Sequence, residues 1–194
     1  TFGLFAVLMV LFVLSFNGFG IALRTADVAS DTLAGLPESP RSLHGARRID
    51  ELGERILFEV RALLRFDEFS LAIVDSERKT LDLRVQERGG EHLPSQRLAL
   101  DHGPFGWVAA RGAAVLVEDW AQAPESLRVA AAAAGITQGS MILVPLEVGG
   151  RVIGVVGVRR LSPAAYSDAD LHLMQRLAEQ VELRNRFIRE TFGR

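Results

Sequence analysis

The segment Ser140–Arg160, SMILVPLEVGGRVIGVVGVRR, restricts the possible folds more than any other stretch. Two apolar runs flank Gly149-Gly150, and a two-residue glycine turn closes a tight antiparallel hairpin. In the second run Val152, Gly154, Val156 and Val158 are expected on one face, with Ile153, Val155 and Gly157 on the other. Both faces are apolar, so this strand should be covered on both sides and lie centrally in its sheet. Gly154 and Gly157 leave room for a helix or a ligand to approach the backbone. Pro145 donates no ladder hydrogen bond, which predicts a bulge or an edge in the first strand near that residue.

The chain opens with a second constraint, TFGLFAVLMVLFVLSFNGFGIAL, which carries no charge. As a helix rising roughly 1.5 Å per residue, this stretch matches the ~30 Å hydrocarbon core of a bilayer. A signal sequence would show a basic start, a shorter apolar run and a small-residue cleavage site. A buried helix is the remaining alternative. The organisation expected is a transmembrane helix over 1–23, a juxtamembrane linker over 24–46 broken by Pro37 and Pro40, and a folded domain over 47–194. Phe2, Phe5, Met9, Phe12, Phe16 and Phe19 recur at helical spacing and form one bulky stripe. Such a stripe either faces lipid or contacts neighbouring helices or a hydrophobic cofactor, and Asn17 favours a partner, since a buried amide seeks one. Arg24, Arg41, Arg47 and Arg48 follow the span, which places the folded part on the cytoplasmic side of a bacterial inner membrane.

Beyond the linker, Ile49, Leu52, Ile56, Val60 and Leu63 predict an amphipathic helix over 47–66. Strands are expected at Phe69–Asp75, Thr80–Gln86 and Ala113–Val117. A glycine-bounded helix is expected at Gly103–Arg111 and another at Pro124–Ala134, ended by Gly135. Ser167 and Asp170 have the spacing of a helix-capping pair. The helix they open runs to about Phe192, with Leu171, Met174, Ala178, Val181, Asn185 and Ile188 in one stripe. That stripe either packs on the sheet or forms the seam of a homodimer, with Asn185 fixing its register.

In this order and spacing, several motifs resemble the GAF domain, the small ligand-sensing fold of signalling proteins. They are Asp101–Ala109 (DHGPFGWVA) with Gly112, Val115–Asp119, Gly135-Ile136, Ser140–Leu146, Gly150–Val155 and Tyr166–Leu171. The resemblance spans about Arg48–Glu182. It implies an α+β domain with an antiparallel sheet of five or six strands and flanking helices, in which a proline at position 145 is ordinary. It also implies a pocket near Phe105, Trp107, Trp120, Arg128 and Ser140. The cyclic-nucleotide signature that follows the hairpin in some members is replaced here by Arg159-Arg160-Leu161-Ser162-Pro163. Chromophore-binding and methionine-sulfoxide-reducing members need cysteine, and the sequence has none.

The remaining chemistry is sparse. A net charge of −2 gives no electrostatic basis for nucleic-acid binding. His44, His92, His102 and His172 have no metal-ligand spacing, and no phosphate loop or catalytic grouping stands out. No cofactor, metal or catalytic residue is therefore expected. With no output domain after Arg194, the chain is expected to act through its surfaces. The reading is a non-catalytic, single-span subunit that stabilises or regulates a larger membrane assembly, photosynthetic or respiratory, beside pigment- or quinone-binding subunits. The alternative is a ligand-sensing module that signals through its last helix.

Overall fold

The chain divides into two compact units, Thr1–Leu43 and His44–Arg194. The computed structural model describes the backbone of residues 40–184 and the side chains of residues 47–180, and the account below concerns these. The expected membrane span with its stripe Phe2, Phe5, Met9, Phe12, Phe16 and Phe19 lies outside the described residues. Among the described residues, no helix is long and apolar enough to cross a membrane.

Helix α1, Pro40–Leu63, begins inside the stretch expected to be linker. Among the described residues this helix begins at Pro40, and a first-turn proline gives up only an N–H that has no intrahelical partner. Gly53 lets the helix lie close to the sheet. A Cβ there would come within 2.5 Å of Val85 Cγ2 and 2.9 Å of Leu71 Cδ2.

Seven antiparallel strands follow, where five or six were expected. They are β1 (Glu68–Asp75), β2 (Thr80–Arg88), β3 (Glu91–His92), β4 (Gln96–Ala99), β5 (Val115–Val117), β6 (Ser140–Val148) and β7 (Arg151–Arg160). The order is β3-β2-β1-β7-β6-β5, with β4 also paired to β2. The two additions are β3 and β4, too short to show an alternating pattern in sequence. β7 is central as expected, between β1 and β6. Both expectations for Pro145 hold. β5 begins opposite Leu143 and runs away from Pro145, so Pro145 lies on an open edge among the described strands, and the β6–β7 register shifts one step later between Leu146 and Glu147.

That shift overturns one part of the face assignment. Gly154 pairs with Leu146 but Val152 pairs with Glu147, leaving Ile153 as the extra residue. A bulge reverses the alternation before it. Val152 therefore packs with Phe105 and Val155, and Ile153 joins the face of Val156 and Val158. A second bulge isolates Arg84 between Leu83 and Val85. Arg84 Nε and Nη2 donate to Asp50 Oδ1 and Oδ2 of α1, each at 3.0 Å. Both side chains are partly exposed, so a double-mutant cycle on Arg84 and Asp50 should give a coupling of only about 0.5–1 kcal/mol.

One sheet face is covered by α1 and by α4 (Asp168–Arg184), through Ile56, Leu57, Val60, Met174, Leu177 and Ala178. The other is covered by α2 (Gly103–Arg111) and α3 (Glu125–Ala133), through Val108, Leu127 and Ala131. At the start of α4, Asp170 Oδ2 accepts from both the backbone N–H and the hydroxyl of Ser167, at 2.8 Å each. Leu171, Met174 and Ala178 face the sheet. The core thus takes up the part of the stripe that a dimer seam would have used. The Val181 side chain, Asn185 and Ile188 lie outside the described residues.

Candidate functional site

The implied pocket lies on the α2–α3 face, and its geometry starts from the entry to α2. Gly103 has a φ of 66° as the chain turns into the helix, and Pro104 follows in the first turn. A Cβ at Gly106 would fall 2.3 Å from the Leu100 carbonyl oxygen, so only glycine allows α2 to sit this close to the preceding loop. Gly112 ends the helix in the left-handed region, its N–H donating to the Val108 carbonyl at 2.9 Å.

This placement brings Phe105 onto the centre of the sheet. A Cβ at Gly157 would lie 2.8 Å from Phe105 Cζ and 2.6 Å from Leu143 Cδ2. The missing side chain of Gly157 thus makes room for a ring of the protein itself. Gly154 serves a different contact, since its Cβ would meet the Ala72 carbonyl oxygen of the neighbouring strand at 2.7 Å. Trp107 lies farther out on α2. Its indole N–H donates to Ser126 Oγ of α3 at 3.0 Å, and the Arg111 guanidinium carbon sits 4.0 Å from the ring centroid. The edge contact ties α2 to α3, while the face contact comes from one turn further along α2 itself.

Trp120 opens a 3₁₀ turn, Trp120–Gln122, capped by Asp119 Oδ1, which accepts from the Ala121 N–H at 3.0 Å. Its side chain is buried against Val117, Leu127 and Met141, and its Nε1–H has no partner among the described residues. Ser140 is fully buried and its Oγ also lacks a partner. It alternates with Met141 and therefore points to the opposite face, the side of Ile142 and Val144. Arg128 is exposed on α3. The five residues are thus not gathered into one site. Phe105, Trp107 and Trp120 share a face, Arg128 lies on the surface, and Ser140 is across the sheet. Unpartnered buried donors and acceptors cost about 1–3 kcal/mol each, so the Trp120 N–H marks a position where a polar atom would be stabilised.

Asp101 and His102 form the turn before α2, and the His102 side chain makes no capping hydrogen bond. Among the described residues no group of three or more histidines and carboxylates is placed to hold a metal.

An antiparallel sheet between two pairs of helices places the described residues in the α+β class. The family model of the GAF domain matches residues 46–183, and the chain belongs to that family. Among solved structures, it is similar to a free methionine-R-sulfoxide reductase from Neisseria meningitidis, at 25% identity and a TM-score of 0.55 over 69% of this chain and 74% of that one. It is also similar to residues 122 to 287 of a methyl-accepting chemotaxis protein, at 19% identity and a TM-score of 0.62 over 75% and 93% of the two chains. The GAF domain of a two-component sensor histidine kinase from Bacillus halodurans aligns at 17% identity and a TM-score of 0.55, over 75% and 97%. The latter two show the shared fold. Among curated proteins, none matches the chain.

Proposed function

We propose that this GAF domain is a non-catalytic regulatory module that acts by contact. In this reading it is held by the apolar segment 1–23 in a bacterial inner membrane, as a subunit of a larger assembly of integral membrane proteins. The observation that carries the contact reading is the occupied α2–α3 face. Phe105 covers Gly157, while Trp120, Leu127 and Ala131 fill the space beside it. A face filled by the domain's own side chains leaves the outer surfaces as the means of action. These 194 residues contain no cysteine, so thiol-based reduction has no nucleophile here. The test is purification from native membranes in mild detergent. Stoichiometric co-purification of integral membrane subunits is expected, and a protein that runs alone as a monomer would sink the proposal.

The orphaned Trp120 N–H favours a second reading, a ligand sensor that signals through α4. Thermal unfolding with nucleotides, haem or small organic acids tests it, because a ligand at a hundred times its Kd adds about 2.7 kcal/mol. Stabilisation that is lost specifically in Trp120→Phe would establish this reading in place of the first.

A further inference from the structure

A cleft of about 480 Å³ lies outside the implied pocket, lined by Arg61, Leu64, Arg65, Phe66, Asp67, Glu87 and Arg160. It is assembled from the end of α1, the turn into β1, the end of β2 and the end of β7. Three guanidinium groups and two carboxylates line it, which leaves an excess of one positive charge.

Both carboxylates are already engaged. Glu87, only 4% exposed, pairs with Arg61. Asp67 Oδ2 accepts from the Leu161 N–H at 2.8 Å and lies 3.3 Å from Arg160 Nε, a contact without hydrogen-bond alignment. The Arg65 guanidinium has no protein partner among the described residues, yet its backbone is fixed. The Tyr166 hydroxyl donates to the Arg65 carbonyl at 3.1 Å. Burial pushes that hydroxyl well above the usual tyrosine range, more than the nearby Arg160 charge offsets, so it remains a donor. The cleft therefore holds satisfied acceptors, surplus donors, and an apolar wall formed by Leu64 and Phe66.

We propose that this cleft binds a small oxyanion, a carboxylate or phosphate on a compact ligand, with the Arg65 guanidinium as its principal donor. The cleft is open to solvent and the Arg65 side chain is exposed, which suits a compact ligand, and a fork of N–H groups suits either oxyanion. The proposal stands apart from the contact function above, because binding to the purified chain requires no membrane partner.

Calorimetric titration of the full chain in mild detergent at low salt, with succinate and separately with inorganic phosphate, provides the test. Saturable binding of at least one probe is expected, and selectivity between the two identifies the chemical class. Arg65→Gln should weaken binding about tenfold or more, as expected for a charge-assisted hydrogen bond. Arg65→Lys, which keeps the charge but not the fork, should retain part of the affinity. Arg176→Gln, on the exposed side of α4, should leave it unchanged. The proposal is overturned if neither probe binds up to about 10 mM, if Arg65→Gln binds like wild type, or if Arg176→Gln weakens binding equally.

Discussion

Trp120→Ala is expected to destabilise the domain by about 3–5 kcal/mol, the range for removing a large buried aromatic. The indole is 3% exposed and fills the α2–α3 core beside Leu127, Met141 and Val155. These neighbours are pinned to a strand or helix backbone, so the vacated volume cannot easily close. Trp120→Phe is the informative comparison. It keeps most of the apolar bulk and removes the N–H that has no partner, so the loss should stay below about 1.5 kcal/mol. Urea unfolding of the three proteins measures both effects. If Trp120→Phe were as damaging as Trp120→Ala, the N–H would have to be satisfied in solution and the account of this core would be wrong.

The second large effect is expected at Gly139, where the chain enters β6. Its φ is +93°, and a Cβ there would lie 2.1 Å from the Arg160 carbonyl oxygen. Gly139→Ala thus combines a disfavoured backbone conformation with a collision against backbone, not against a side chain that can rotate away. Together these should cost about 3 kcal/mol, or roughly 10 °C in Tm. Gly135→Ala separates the two causes. Gly135 has a φ of +73° but nothing within 4 Å of its would-be Cβ, so only the conformational cost of about 1 kcal/mol is expected. Equal losses at the two positions in thermal unfolding would contradict the steric argument at Gly139.

Features encoded by neighbouring residues were legible in the sequence. The Gly149-Gly150 hairpin, the glycine-bounded α2 and the Ser167–Asp170 cap each depend on residues close together in the chain, and each appears where expected. The start of α1 was misplaced because Pro40 has opposite meanings at a helix start and in a helix interior, and spacing alone does not choose between them. Val152 was assigned to the wrong face because the bulge at Ile153 arises from pairing with Glu147 and Leu146 on another strand. Family resemblance placed Trp120 and Ser140 in one pocket. Strand alternation from Met141 puts them on opposite faces, and that follows only once β6 is known to be regular there. The charged cleft left no trace in local spacing, because its lining residues run from Arg61 to Arg160, and Arg160 joins the rest only through the β1–β7 pairing.

That pairing also has a consequence for biosynthesis. Glu68 of β1 lies opposite Arg159 of β7, 91 residues later in the chain. At about 5–20 residues per second, a ribosome takes on the order of ten seconds to supply the strand that β1 requires. Until then β1 can pair only with β2, and its other edge presents open backbone groups and the apolar residues Leu71 and Ile73. The nascent domain thus passes through a period with its central sheet half built. A chaperone that shields a single strand edge would have its largest effect on yield in that interval.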